Sequence, residues 1–427
     1  MNVLKEKGIF AFICSNKFAK AKYGEKLRKL ILENQLKIYN DLTGVKVFKE
    51  ASVDTCVIQI KKDYKKDNEI FVNNDYLMKQ NRLEHHLFSF NSQEVLDLRE
   101  KIFNQGTLIK NLDIKINYGI KTGFNKAFII DENLKNKLIK EDSNNKEIIK
   151  PILRGRDIHK WKIIYENLYL IYVPWNFNIN KYPSIKAHLT HYKSDLEKRP
   201  EVKKNRYNWY CMSRYASDYV DLFEKEKIIY SEIVPEPRFV YDDENYYMEA
   251  TGFLLSSDSI NLKYLVSLLN SKLLFWYFKE IGYNLGGKGY RYKKIFIEQL
   301  PIKLSNKDNE LNIIYLVNQI LELNKSFVIQ TNQFYQFMIK DLHILKISKK
   351  LERYYELNQK QFFNEIKKQK ANFINEAYVI SEFESSCKIL NELNKDIDKL
   401  ETELNGIIYD LYELTEKEIS IVENEVK

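Results

Sequence analysis

Gly8-Ile-Phe-Ala-Phe-Ile-Cys14 is a short apolar run closed by a glycine on one side and by Ser15-Asn16 on the other. Its length and absence of charge predict a buried strand. Directly behind it, Phe18 to Asn34 carries Tyr23, Leu27, Leu30 and Ile31 on one helical face, the pattern of an amphipathic helix. Ile38 to Leu42, Val45 to Phe48 and Val53 to Ile60 then predict three further strands. Strand, helix, strand is the start of an α/β layer. A doubly wound domain needs about twice this length or more, so these residues read as one edge of a sheet.

Moving outward, Lys61 to Asp67 is a charged stretch and marks a boundary, and the residues up to Gln105 mix short helical and strand signals. From Gly106 to Pro301 many short β-like runs alternate with turns: Lys126 to Asp131, Tyr169 to Val173, Lys227 to Ile233 and Phe239 to Asp242. Leu262 to Phe278 reads as one strongly apolar helix, and the whole region as mixed α+β. Beyond Pro301 the period is helical. Ile397, Leu400, Leu404, Ile407, Leu411 and Leu414 repeat at 3-4-3-4-3, the spacing of a packed helical seam. The seam is too short for a long coiled coil, so a bundle or helical hairpin is expected. Thr415 with Glu418 is a capping box that starts a final short helix.

With 427 residues, 51.2 kDa and 44% hydrophobic content, the chain holds two or three domains with a substantial core. Only 13 Gly and 7 Pro exclude collagen-like sequence and long flexible linkers. The net charge of +9 is unevenly spread. From Ser305 to Lys427 there are 16 basic and 21 acidic side chains, so the residues before Ser305 carry +14. That asymmetry favours a polyanionic partner for the first three quarters of the chain. The cysteines Cys14, Cys56, Cys211 and Cys387 lie far apart in sequence and read as reduced, mostly buried thiols. No run of about 18 apolar residues and no targeting segment is evident. A cytoplasmic protein without a membrane span is the expectation.

Complete catalytic sets are missing. There is no Walker motif and no nucleophile elbow. The best glycine cluster, Gly286-Gly287-Lys288-Gly289, lacks dinucleotide-binding spacing; it is followed by Arg291, Lys293 and Lys294, which suits a loop passing near a phosphate backbone. His188 and His191 stand at i, i+3 but among Lys186, Lys193, Lys198 and Arg199, which would repel a cation. His85 and His86 are adjacent and point apart on a helix. No metal site is expected. More informative is Tyr182 to Tyr215, where Lys186, Lys193, Lys198, Arg199, Lys203, Lys204, Arg206 and Arg214 interleave with Tyr207, Trp209 and Tyr210. Cations neutralise phosphates and aromatic rings stack on sugars and bases, although a solvated basic helix has the same composition. Leu153-Arg-Gly-Arg-Asp-Ile158 offers two guanidiniums around a glycine. They suit either bidentate contact to a phosphate or guanine edge, or an ion pair with Asp157.

Taken in order, these segments resemble a known family. Tyr118-Gly-Ile-Lys-Thr-Gly-Phe-Asn-Lys-Ala-Phe-Ile-Ile-Asp131 and Ile149-Lys-Pro-Ile-Leu-Arg-Gly-Arg-Asp-Ile158 look like the TaqI-like specificity domain. That domain is the target-recognition part of type IIG restriction-modification enzymes and related adenine methyltransferases. Tyr182-Pro-Ser-Ile185, Lys227-Ile-Ile-Tyr230, Leu268-Leu-Asn-Ser-Lys272 and Leu300-Pro-Ile302 continue the match. Gly8 to Phe18, Tyr23-Gly-Glu-Lys-Leu-Arg28 and Ala51-Ser-Val-Asp-Thr-Cys56 resemble the end of the preceding methyltransferase domain, and Asp396-Ile-Asp398 with Ile408 to Thr415 the family's C-terminal helices.

The resemblance implies a mixed α/β chain. A partial Rossmann-like methyltransferase sheet would occupy residues 1–66, a connector 67–104, an α+β target-recognition domain 105–302 and a helical tail 303–427. It implies sequence-specific binding of double-stranded DNA as part of an adenine-specific restriction-modification enzyme. The candidate DNA contacts are Lys121, Asn125, Arg154, Arg156, Lys203, Lys204, Arg206, Trp209, Lys288, Arg291, Lys293 and Lys294. The intact family enzyme uses S-adenosylmethionine and an Asn/Asp-Pro-Pro-Tyr/Phe motif that holds the flipped adenine. This sequence has no Pro-Pro pair and no matching glycine strand-turn, so no cofactor and no catalytic residue is expected in it. It reads as a C-terminal fragment or truncated frame, with the missing methyltransferase or nuclease part a partner in trans. Two other readings stay open: a stand-alone specificity subunit docking a separate methyltransferase, and a structural or RNA-binding protein.

Overall fold

The structure is a computed structural model that describes residues 1, 3–45, 47–48, 54–65, 67–86, 88–285, 289–372 and 375–426. It is mixed α/β and divides into two compact units. One comprises Met1–Gln105, Tyr283–Tyr290 and Thr415–Asn424; the other holds Gly106–Gly282 and Arg291–Leu414.

In the first unit, β1 (Ile9–Ser15), β2 (Gln35–Asp41), β3 (Thr55–Lys61), β4 (Glu69–Val72) and β5 (Tyr76–Lys79) form one sheet in the order β1-β3-β2-β4-β5. Only β2 and β4 run parallel. Cys56, Ile58 and Ile60 alternate along β3 and join Leu36, Tyr39, Ile70, Val72 and Phe88 in the core, the two-residue period of a strand with one buried face. The stretch read as a connector thus supplies two strands, and also helix α2 (Gln93–Gln105). The closing helix Glu416–Glu425 is tied to α2 by Lys101–Glu418 at 2.7 Å and Lys417–Glu94 at 2.6 Å. Its expected capping box is formed: Glu418 accepts from the Thr415 backbone at 2.7 Å, and the Thr415 hydroxyl accepts from the Glu418 N–H at 3.4 Å.

Three expectations for this unit need correction. The strand at Gly8–Cys14 exists, but as an edge strand whose Ile9, Phe10, Phe12 and Ile13 are exposed rather than buried. Helix α1 (Glu25–Leu32) is shorter than the predicted one and buries Ile31, while Tyr23, Leu27 and Leu30 face outward. The interior side of α1 is taken instead by Arg28, which is 1% exposed and donates to the carbonyls of Phe18, Ala21, His85 and His86. Val45, Val47 and Phe48 form no strand; Lys46 and Ala51–Val53 lie outside the described residues. Cys14 and Cys56, far apart in sequence, face each other across β1 and β3 with sulfurs 3.9 Å apart, and burial raises both thiols above their ordinary range.

The second unit is built on two four-stranded sheets. Its strands include β6 (Lys115–Tyr118), β7 (Ile129–Ile130), β8 (Ile149–Leu153), β9 (Ile158–His159), β10 (Lys162–Ile163), β11 (Tyr169–Ile171), β12 (Lys227–Ser231), β13 (Phe239–Asp242), β14 (Tyr247–Met248) and β15 (Gly252–Ser256). One sheet runs β14-β8-β11-β7 and the other β13-β12-β15-β6. Every residue of β12 and β15 is buried, as central strands covered on both faces must be. Lys227 is inside as well, 2.6 Å from the equally buried Asp242 opposite it.

The apolar helix predicted at Leu262–Phe278 is two helices, α3 (Leu262–Leu269) and α4 (Lys272–Ile281). Asn270 leaves the helical path to exchange hydrogen bonds with the backbone of Phe239 on β13, and Ser271 caps α4 at Leu274. Polar side chains that bond locally to backbone compete with helix continuation.

The long helices α5 (Lys307–Lys340) and α6 (Glu376–Leu411) pack along each other, as a helical hairpin requires. Their buried seam runs through Ile397, Leu404, Ile408 and Tyr412, slightly rotated from the predicted one; Leu400, Ile407 and Leu411 are half-buried. The Tyr412 hydroxyl donates to the Pro301 carbonyl and accepts from the Lys303 N–H.

Candidate nucleic-acid interface

The segment Tyr118 to Asn125 leaves β6 and is clamped from two sides. Ile120 N–H donates to Met248 O at 2.7 Å, and Ala250 N–H donates to Ile120 O at 2.8 Å. Lys121 and Arg214 exchange backbone hydrogen bonds at 3.0 and 2.9 Å, and Ser213 N–H reaches Thr122 O at 3.2 Å. The closeness of this packing explains the two glycines. A Cβ at Gly119 would stand 2.1 Å from the Glu249 carbonyl oxygen, and one at Gly123 would stand 2.1 Å from Ser213 Oγ. Gly123 also has φ +81°, a conformation in which a side chain is strained.

Arg199 is the hub beneath this loop. It is 7% exposed, and its guanidinium donates to the carbonyls of Thr122 at 3.1 Å, Cys211 at 2.9 Å and Leu196 at 2.9 Å, and to that of Trp209. Burial lowers it from its ordinary value. Sequence reading placed Arg199 among the phosphate-facing cations; the fold spends it on backbone carbonyls. A cation whose five donors each need an acceptor is well suited to joining several loops. The proline after it and the aromatic rings of Tyr207 and Phe128 nearby were the available signals.

Three exposed side chains stand on the clamped backbone: Lys121, Asn125 and Arg214. Asn125 is held by its neighbours. Thr122 Oγ1 donates to Asn125 Oδ1 at 2.5 Å, and Asn125 Nδ2 donates to Glu249 Oε1 at 2.5 Å. Glu249, 124 residues away in sequence, had no signal in the chain, and Arg214 was seen only as part of a basic stretch.

The other candidates divide. Lys203, Lys204 and Arg206 are exposed, and among the described residues none is paired with a carboxylate. Trp209 is half-buried against the core, with the Lys193 ammonium 5.5 Å over its ring. Arg154 contacts the buried Asp157 at 2.9 Å and Glu166 at 2.5 Å, whereas Arg156 is 67% exposed and lies 4.0 Å from Asp157. Arg291 is near Glu232 at 3.2 Å. Lys294 donates to Ile116 O at 3.1 Å, Lys293 is exposed, and Lys288 lies outside the described residues. His188 Nε2 is 3.0 Å from the Ala127 carbonyl oxygen, and burial lowers its pKa.

Comparison with known proteins adds an independent observation. Residues 150–302 match the TaqI-like C-terminal specificity domain, and residues 306–408 match a domain of unknown function, DUF8810. The Type II methyltransferase M.BstVI of Geobacillus stearothermophilus is 22% identical over 391 residues, covering 81% of this chain and 67% of that protein. The Type II methyltransferase M.BanIII of Aneurinibacillus aneurinilyticus is 26% identical over 229 residues, 50% of this chain and 38% of that protein. Among solved structures, the Type IIL restriction-modification enzyme MmeI in complex with DNA is similar at 12% identity and a TM-score of 0.47, over 96% of this chain and 50% of that one. The type IIG restriction endonuclease BpuSI is similar at 12% identity and a TM-score of 0.36, over 91% and 47%. The chain therefore spans about half the length of these solved relatives. Of the recognised segments that fall within the matched range, Arg154 to Ile158 and Leu268 to Lys272 have the structural roles described above. Residues 150–302 of this chain are a TaqI-like C-terminal specificity domain.

Proposed function

We propose that the chain binds duplex DNA sequence-specifically, as the target-recognition part of an adenine-specific methyltransferase or restriction enzyme of a restriction-modification system. One observation carries this reading: the unit that contains the specificity domain also presents Lys121, Lys203, Lys204, Arg206 and Arg214 without carboxylate partners among the described residues. Unpaired cations on a rigid scaffold are what phosphate neutralisation needs.

Methylation would fall to a part of the enzyme other than these residues. The residues present do not fit S-adenosylmethionine. Gly8, the glycine beside β1, spends its N–H on the Lys5 carbonyl at 2.9 Å, and no Pro-Pro pair exists to hold an extruded adenine. The exposed Ile9, Phe10, Phe12 and Ile13 on edge strand β1 support a partner in trans, since a strand apolar on both faces suits the interior of a larger sheet. No helix among the described residues is long and apolar enough to cross a membrane, in keeping with action in the cytoplasm.

The test is competition binding with duplex DNA, single-stranded DNA and RNA of matched length, beside calorimetric titration with S-adenosylmethionine. Duplex DNA should win, and the titration should give no heat of binding. Preference for RNA would move the protein to a different class, and micromolar cofactor binding would overturn the division of labour.

A further inference from the structure

The hydrogen bonds around Asn125 fix its amide in one orientation. Thr122 Oγ1 already accepts from the Phe124 N–H at 3.2 Å, so its own proton goes to Asn125 Oδ1 at 2.5 Å. Glu249 can only accept, so the group facing it must be the Asn125 amide nitrogen. Turning the amide over would set its carbonyl against the Glu249 carboxylate, two acceptors with no proton between them, and lose that bond. Thr122 is 1% exposed and its carbonyl is tied to Ser213 and Arg199, so the support does not move. What remains free on the exposed side chain is one amide proton and one oxygen lone pair, a donor beside an acceptor. Adenine presents the complementary pair in the major groove, N7 as acceptor and N6 as donor, and no other base edge does so in that order. Lys121 and Arg214, exposed on the adjoining backbone bridge, supply charge for the flanking phosphates.

We infer that Asn125 is a specificity-determining residue that reads one adenine of the target, with Glu249 as the positioning residue that keeps its amide aligned. This rests on the reading of the chain as a duplex-DNA binder and names the base it selects.

The experiment selects bound sequences from a random duplex pool with the full chain, then repeats the selection with Asn125→Ala and Glu249→Ala. The unmodified chain should enrich a consensus containing an A·T pair at which Asn125→Ala loses roughly 5- to 150-fold in preference, the worth of one bidentate base contact. The other positions should stay unchanged, and Glu249→Ala should weaken preference at that same position only. Placing 7-deazaadenine there removes N7 without disturbing pairing; it should lower affinity for the unmodified chain and have no further effect on Asn125→Ala. Should the alanine variant melt early, Asn125→Gln keeps the amide but moves it by one methylene and should lose the same preference. Variants that select the original consensus, or that lose affinity equally at all positions, would overturn the assignment while leaving DNA recognition intact. An unmodified chain that enriches no consensus would overturn the functional reading itself.

Discussion

Asp157 separates two arginines that the sequence presents as equals. At 2% exposure it takes hydrogen bonds from the Arg154 backbone at 2.8 Å and from the Arg154 guanidinium at 2.9 and 3.2 Å. Arg156 reaches neither Asp157 nor Glu166 closer than 3.8 Å and stays in solvent. Arg154→Ala strips a buried carboxylate of its partner and should cost about 2–4 kcal/mol. Arg156→Ala should leave stability within about 0.5 kcal/mol, as surface changes do, and weaken DNA binding. Thermal melts of both variants beside their affinities for selected and unselected duplexes check this. Equal loss of stability in the two would refute the separation.

At the scale of elements, the hairpin β9–β10 ties the specificity domain to the long helices. Lys160 meets Glu401 of α6 at 2.6 Å, Trp161 Nε1 donates to the same carboxylate at 2.5 Å, and the Lys162 ammonium lies 3.8 Å over the Phe327 ring of α5. His159 in this hairpin is driven down to about 4, by burial first and then by Arg238, Lys162 and Arg353. In the unfolded chain its pKa is near 6.5. Between those values the unfolded chain binds a proton that the folded one refuses, so stability is full above pH 6.5 and falls as the pH drops. The loss from this group should be about 2 kcal/mol between pH 7.5 and 5. Urea midpoints at the two pH values should differ less for His159→Gln than for the unmodified chain; an unchanged difference would assign the effect elsewhere. Periodicity made the elements legible but not their surroundings. Strand β1 was readable from Gly8 to Cys14, yet its position at a sheet edge depends on pairing with Thr55–Lys61, which no local pattern encodes. The break between α3 and α4 was written in Asn270-Ser271, but apolar spacing on both sides masked it. The Lys121 and Asn125 loop was legible only through family resemblance. Its clamp on Met248–Ala250 and Ser213–Arg214 comes from contacts about 90 to 130 residues apart.

For the whole molecule, charge sets the binding regime. The residues before Ser305 carry +14 against +9 for the complete chain, and Lys121, Lys203, Lys204, Arg206 and Arg214 are among their exposed cations without a carboxylate partner among the described residues. If these neutralise about five phosphates, log K should fall against log salt with a slope of about −4 to −5. Replacing Lys203, Lys204 and Arg206 by alanine should flatten that slope by up to about 3. Affinities measured from 50 to 300 mM salt on one duplex (roughly a sixfold span) decide it, and an unchanged slope would reduce the cluster to a solvated face. Strand β1 of the first unit answers to a different force. Ile9-Phe-Ala-Phe-Ile-Cys-Ser15 contains neither charge nor proline, the devices that keep strand edges from recruiting further chains. Encounters between two such strands rise with the square of concentration. Loss of clear protein from stocks should therefore steepen with concentration, which light scattering of a dilution series checks; a charge placed on this ribbon, as in Phe12→Lys, should relieve it.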